Sequence, residues 1–215
     1  MAYYGVDTNT STSPCGVSFY IGQIGYGTTS SMENFNTSAA DSVGTSRTWS
    51  YWYVNGPQND PNYSAEYSDS DAENWGQLQA QEYTNAWVNN TYVGGVTLFA
   101  DIEQGYNDEG GWLLDGTSNS YRLNYYVYLG FIEYCKSFSG TSVGVYSSPG
   151  EWSSIMGDAA ASPADIEWIA DWSVACDACP TTITTTSFGA ISPTIWQFSG
   201  SNCGYDRDFA TMLPE

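Results

Sequence analysis

Apolar and polar positions along the chain fall into two alternating rhythms. Period-two or continuous apolar runs, rich in Val, Ile, Tyr, Phe and Trp, predict strands over Tyr3–Asp7, Val17–Ile24, Thr48–Val54, Val96–Glu103, Ser142–Ser147, Glu167–Trp172 and Thr194–Ser199. A short last strand falls around Tyr205–Phe209. Between them, apolar residues recurring every three or four positions predict helices near Ser31–Val43, Ala72–Val88 and Ser120–Phe138, with a shorter one near Gly150–Met156. Ser70 and Glu73 offer a capping box for the second helix, whose apolar face would carry Trp75, Leu78, Tyr83 and Ala86. In the third, Tyr121, Tyr125, Tyr128, Ile132 and Cys135 form the buried stripe.

Strands alternating with helices predict parallel pairing through right-handed crossovers. Eight strands in 215 residues point to a closed α/β barrel, an irregular TIM-type barrel, rather than an open doubly wound sheet. No internal repeat or linker interrupts the chain, so residues 1–215 read as one domain. The irregularity is local. Thr8 to Gly16 is too short for a crossover helix, and Ser/Thr/Pro/Gly-rich loops join the last three strands. No glycine-rich nucleotide or phosphate loop is present.

A parallel barrel gathers the C-terminal ends of its strands at one mouth, where active sites lie. Those ends supply Asp7, Gln23, Tyr53, Asp101, Glu103, Tyr146, Asp171, Gln197 and Asp206. The most telling pair is Asp101 and Glu103, which strand alternation puts on one face. Two carboxylates so close cannot both ionise freely, so one holds its proton towards neutral pH. A protonated carboxyl beside an ionised one is the equipment of glycosidic bond cleavage.

Composition narrows the chemistry. The chain has no histidine, which excludes a Ser-His-Asp or Cys-His site and any histidine-ligated metal. Four cations (Arg47, Arg122, Lys136, Arg207) face 24 acidic residues, a net charge of −20, so no basic patch can be assembled for nucleic acid or phosphate. The 18 Tyr and 9 Trp offer flat faces suited to sugar rings. No apolar run approaches the roughly 18 residues of a membrane span. No metal or organic cofactor is called for.

Few lysines, abundant Ser, Thr, Asn and Gly, and five cysteines suit a secreted protein, and Met1 reads as the start of a chain whose export signal was removed. Cys135, on its helical stripe, reads as a reduced core thiol. Cys15, Cys176, Cys179 and Cys203 lie in loops and suit two disulfides in any of three pairings.

Several strand ends resemble glycoside hydrolase family 25, the secreted lysozymes that cut bacterial cell-wall glycan. Tyr4-Gly-Val-Asp7 is similar to the family's opening strand and Phe99-Ala-Asp-Ile-Glu103 to its Asp-x-Glu strand. Val143-Gly-Val-Tyr-Ser147 is similar to its tyrosine strand, Trp168-Ile-Ala-Asp-Trp172 and Ile195-Trp-Gln-Phe-Ser199 to its Trp-Ile-Ala and Trp-Gln strands, and Gly204-Tyr-Asp-Arg-Asp208 to its closing strand. A related group of secreted glycoside-hydrolase-like barrels shares the Gly144-Val-Tyr-Ser-Ser148 type of segment. The chain departs from the family in lacking its lysine-containing run after the second strand, and in having Asp208 where asparagine is usual.

The resemblance implies a barrel of five β/α units followed by three strands, acting on an N-acetylated glycan, peptidoglycan foremost. It implies Glu103 as general acid, its proton held by Asp101 and partial burial, with Asp101, Asp7 and Asp206 as partner carboxylates. Tyr146, Gln197, Asp171, Trp172 and Tyr53 would shape the sugar sites, with Trp196 either there or in the core. It also implies a monomer needing no cofactor and no partner but the polysaccharide. The alternatives are a barrel that binds carbohydrate without cutting it, or a glycosidase for another polysaccharide.

Overall fold

The computed structural model describes residues 2–7, 13–157, 160–175, 177–200 and 206–214. Eight strands close into a barrel: β1 (Tyr3–Val6), β2 (Phe19–Tyr26), β4 (Thr48–Tyr53), β5 (Thr97–Asp101), β6 (Ser142–Ser147), β7 (Ile166–Ala170), β8 (Pro193–Ser199) and β9 (Arg207–Ala210). The two-residue β3 (Thr29–Ser30), which the hydrophobic pattern does not announce, turns back on β2 as a hairpin. Pairing runs parallel from β1 through β2 and β4 round to β8. Among the eight barrel strands described, β9 alone is antiparallel, seated between β8 and β1, where it closes the ring. This reversal was not legible in the apolar pattern, which has no direction.

Four helices follow β2 to β6: α1 (Thr37–Val43), α2 (Asp69–Val88), α3 (Ser118–Lys136) and α4 (Pro149–Met156). Among the described residues none lies between β1 and β2 or after β7 and β8, so helices concentrate in the middle of the chain. α1 begins later than expected because Asn36 caps it, its side chain accepting from Ala39 N at 3.0 Å. The α2 capping box is Ser68 with Asp71 rather than Ser70 with Glu73: Asp71 N donates to Ser68 Oγ (3.3 Å) and Ser68 N to Asp71 Oδ2 (2.9 Å).

Barrel alternation separates two apolar layers. Phe19, Ile21, Trp49, Phe99, Trp168 and Ile195 fill the interior. Tyr20, Trp52, Leu98, Ala100 and Val145 point outward to meet Trp75, Tyr83, Val127 and Phe131 of the helices. Leu78 lies outside this contact and is exposed, because the buried face of α2 runs through Ala72, Trp75, Gly76, Gln79 and Tyr83. Of the expected α3 stripe, Tyr128, Ile132 and Cys135 are buried, while Tyr121 and Tyr125 are only partly covered. Gly76 and Gly130 let α2 and α3 touch backbone to backbone: a Cβ on either would be driven into the Val127 or Glu73 carbonyl. Cys135 is a free buried thiol. Cys15 pairs with Cys179 across 164 residues of sequence, and Cys176 and Cys203 lie outside the described residues.

Candidate active site

At the C-terminal ends of the parallel strands, Asp7, Tyr51, Asp101, Glu103, Tyr146, Trp168, Gln197 and Asp206 line a cavity of about 100 Å³. Alternation puts them there. Tyr51, Asp101, Tyr146, Trp168 and Gln197 each occupy inward positions of β4 to β8, above the aromatic interior, while their neighbours Ala100, Ile102 and Val145 pack outward. Glu103 continues the inward face two residues past Asp101, and Asp7 and Asp206 stand beside β1 and β9.

Gln197 organises one side. Its Oε1 accepts from Tyr146 Oη and Trp172 Nε1, both at 2.9 Å, and its Nε2 donates to Asp7 Oδ2 at 2.6 Å. Glu103 is held through its main chain: its carbonyl accepts from Trp112 Nε1 (2.9 Å) and Tyr53 Oη (3.2 Å). The next residue, Gln104, donates its N–H to Glu151 Oε2 at 2.9 Å. This fastens the first turn of α4 to the end of β5 and brings the Glu151 charge close to Glu103.

The electrostatics follow from burial without cations. Glu103 is pushed up from 4.5 to about 7, first by burial and then by the Glu151 charge, with a hydrogen bond from Tyr146 opposing the rise. Asp101 is raised well above the ordinary carboxylate range by deeper burial and then by Glu103 and Glu151. Asp101 and Glu103 titrate as an interacting pair, each raised by burial, and the Glu151 charge raises both further. Burial lifts Asp206 to about 6. Burial also raises Asp7, helped by the Asp208 and Asp206 charges and opposed by Gln197. Oδ1 of Asp7 and Oδ1 of Asp101 are buried and meet no donor among the described residues. Among the described residues, no three His, Cys, Asp or Glu side chains converge as a metal shell.

The other expected residues are placed differently. Tyr53 and Gln23 line a neighbouring cleft of about 450 Å³ with Tyr26, Asn55, Tyr106 and Glu109. Trp172 is half-exposed and reaches the site through its indole N–H. Asp171 is not part of the cavity; its backbone carbonyl instead accepts from Trp196 Nε1 at 2.8 Å. Trp196 is fully buried on the outer face of β8 with Phe198 and Phe209, so it belongs to the core. Tyr51, Trp168 and Glu151 were missed. The first two read as core aromatics in their strands, and Glu151 lies on a helix whose approach to β5 no local pattern reveals. A wider hollow of about 470 Å³, lined by Ile24, Met32, Ala86, Asn89 and Tyr92, lies on the barrel's flank away from this chemistry.

The architecture is a closed mixed barrel with a carboxyl-lined mouth, and comparison specifies it further. The chain adopts the fold of the family 25 lysozymes. It superposes on a GH25 lysozyme from Aspergillus fumigatus with a TM-score of 0.63 at 20% identity, covering 99% of this chain and 95% of that one. A muramidase from Trichobolus zukalii gives 0.61 at 18% identity over 96% and 92% of the two chains. A lysozyme from Streptomyces coelicolor gives 0.60 at 18% over 98% and 92%. By sequence alone the chain matches no protein-family model and no curated protein.

Proposed function

We propose that this chain is a glycoside hydrolase that cleaves an N-acetylated glycan of the peptidoglycan type, with Glu103 as general acid. The observation that carries the reading is Glu103 itself: a carboxyl pushed up to about 7, facing a cavity it shares with Asp7, Asp101 and Asp206. The lysozyme fold of the structural neighbours supports it.

In this mechanism Glu103 gives its proton to the glycosidic oxygen as the C1–O bond breaks. Positive charge then develops on the sugar ring. Asp206, which burial lifts only to about 6, supplies the opposing negative charge, with Asp7 behind it. Water adds to C1 and returns its proton to Glu103, which restores the acid. Asp101 stays neutral and offers its unsatisfied carboxyl to the N-acetyl group. Tyr146, Gln197 and Trp172 shape the reacting-sugar site, and the cleft at Tyr53 and Gln23 takes the next sugar. No cofactor enters. The disulfide supports a place outside the reducing cytoplasm, and no described helix is long and apolar enough to cross a membrane. We take the working unit to be a monomer.

The net charge of −20 favours a second reading, in which the barrel binds sugars without cutting them or cuts a less anionic polysaccharide than a bacterial wall. One experiment separates these. Reducing ends are measured after incubation with peptidoglycan and with chitin-type oligosaccharides, for the wild type and Glu103→Gln. The hydrolase reading expects release that falls by about 10²–10⁴-fold in the variant. Binding of both glycans without release would overturn it.

A further inference from the structure

Asp208 is fully buried, yet it has no role in the scheme above. It faces into the barrel from β9, opposite Gln197 of β8 and Gly5 of β1. Its Oδ1 accepts from the Trp168 indole N–H at 2.8 Å, while its Oδ2 is buried and meets no donor among the described residues. Asp7 is in the same condition: Oδ2 accepts from Gln197, and Oδ1 is buried without a donor. The register makes the two diagonal neighbours. Gly5 pairs with Asp208, and Asp7 lies two residues on, on the same face of β1. Across an antiparallel pair such positions lie roughly 7–8 Å apart with the Cβ atoms somewhat closer, so two short carboxyls meet there only when turned toward each other.

Each carboxyl therefore has one oxygen bonded by a neutral donor and one left over. Two buried carboxylates cannot both carry charge there, and among the described residues no cation faces them. The groups packed against Asp208 are Asp7 from β1, Asp206 ahead of its own strand, and the non-titrating Gln197 and Trp168 from β8 and β7. Arg207, adjacent in sequence, points to the opposite face, with Nε bonded to Ser199 Oγ at 3.1 Å and the guanidinium over Phe198.

We propose that Asp208 is a positioning residue for Asp7 and works in its acid form, the pair sharing one proton across their two otherwise unbonded oxygens. The proton lets Asp7 keep a fixed orientation and a single negative charge beside the reacting sugar, a role that rests on the hydrolase reading. Burial raises both carboxyls, and the Asp208 charge is the foremost charge acting on Asp7, in agreement with such a pair.

The test compares Asp208→Asn, which keeps size and an N–H donor without a charge, with Asp208→Leu, which keeps neither donor nor acceptor. The first readout is thermal melting against pH, which needs no substrate. A shared proton makes the wild type lose stability as pH rises from about 4, because the folded state holds a proton the unfolded state releases. Asp208→Asn should match the wild type near pH 4 and melt about 2–4 °C higher at pH 8. The second readout is hydrolysis against pH: Asp208→Asn should carry activity further into alkali, and Asp208→Leu should lose it throughout. Parallel melting curves for wild type and Asp208→Asn would overturn the proposal. So would an asparagine variant as damaged near pH 4 as the leucine one. If the wild type hydrolyses nothing, the hydrolase reading fails, and the melting curves alone decide on the shared proton.

Discussion

Consider Glu103→Gln at pH 8. In the wild type this carboxyl is ionised there, inside a site that favours its neutral form. Holding a carboxyl that has moved from 4.5 to about 7 costs about 3 kcal/mol once it ionises. The sign follows from linkage. A folded pKa above the unfolded one means stability is lost as pH rises from about 4.5 through about 7, and the loss stays constant beyond. Glutamine keeps the shape and can still meet the Tyr146 hydroxyl, but it does not ionise. The variant should equal the wild type near pH 4 and exceed it at pH 8 by up to about 3 kcal/mol. For a chain of this length that is about 6–12 °C in melting temperature. Melting curves at pH 4, 6 and 8 check this beside the loss of hydrolysis. A difference between variant and wild type that does not change with pH would refute the reasoning, and so would a variant less stable at pH 8.

Other expectations follow from the same structure. Hydrolysis should be bell-shaped in pH, falling below about 6 as Asp206 is protonated and above about 7 as Glu103 ionises. Glu151→Gln should move the upper limb down, because it removes the largest charge acting on Glu103; an unmoved limb would sink the assignment of that charge. Reducing Cys15–Cys179, which closes 164 residues, should cost about 2–5 kcal/mol, read as a lower denaturation midpoint under reductant. Gly76→Ala should cost about 1–3 kcal/mol by forcing α2 off the Val127 carbonyl, seen as a melting point lowered without any change in pH profile.

Much of this architecture was legible in the alternation of apolar residues. Seven of the eight barrel strands overlap the expected runs closely, and the eighth, expected around Tyr205–Phe209, overlaps its run over residues 207–209. Asp101, Glu103, Tyr146 and Gln197 were found because strand ends in a parallel barrel converge. Direction was not legible: nothing in Arg207–Ala210 distinguishes an antiparallel strand from a parallel one. Tyr51 and Trp168 were hidden because an inward aromatic looks alike whether it fills the floor or walls the cavity. Glu151 and Asp208 were hidden for a different reason. Their effect arises from neighbours on other elements, Gln104 for one and Asp7 for the other, and periodicity reports only the face a residue occupies.

The reversed strand β9 ties assembly of the site to the closing of the ring. Val6 pairs with Arg207, a contact that spans almost the whole chain and is slow to form compared with the local packing of α2 on α3. Asp206 and Asp208 travel with that strand, whereas Asp101, Glu103 and Tyr146 are made far earlier in synthesis. Until β9 docks, the Glu103 side of the mouth lacks its opposing carboxyls, and Asp7 stands on an unpaired edge. On the proposed mechanism a nascent or partly unfolded chain would be chemically idle, and cutting power would appear only with the last and least local contact of the fold.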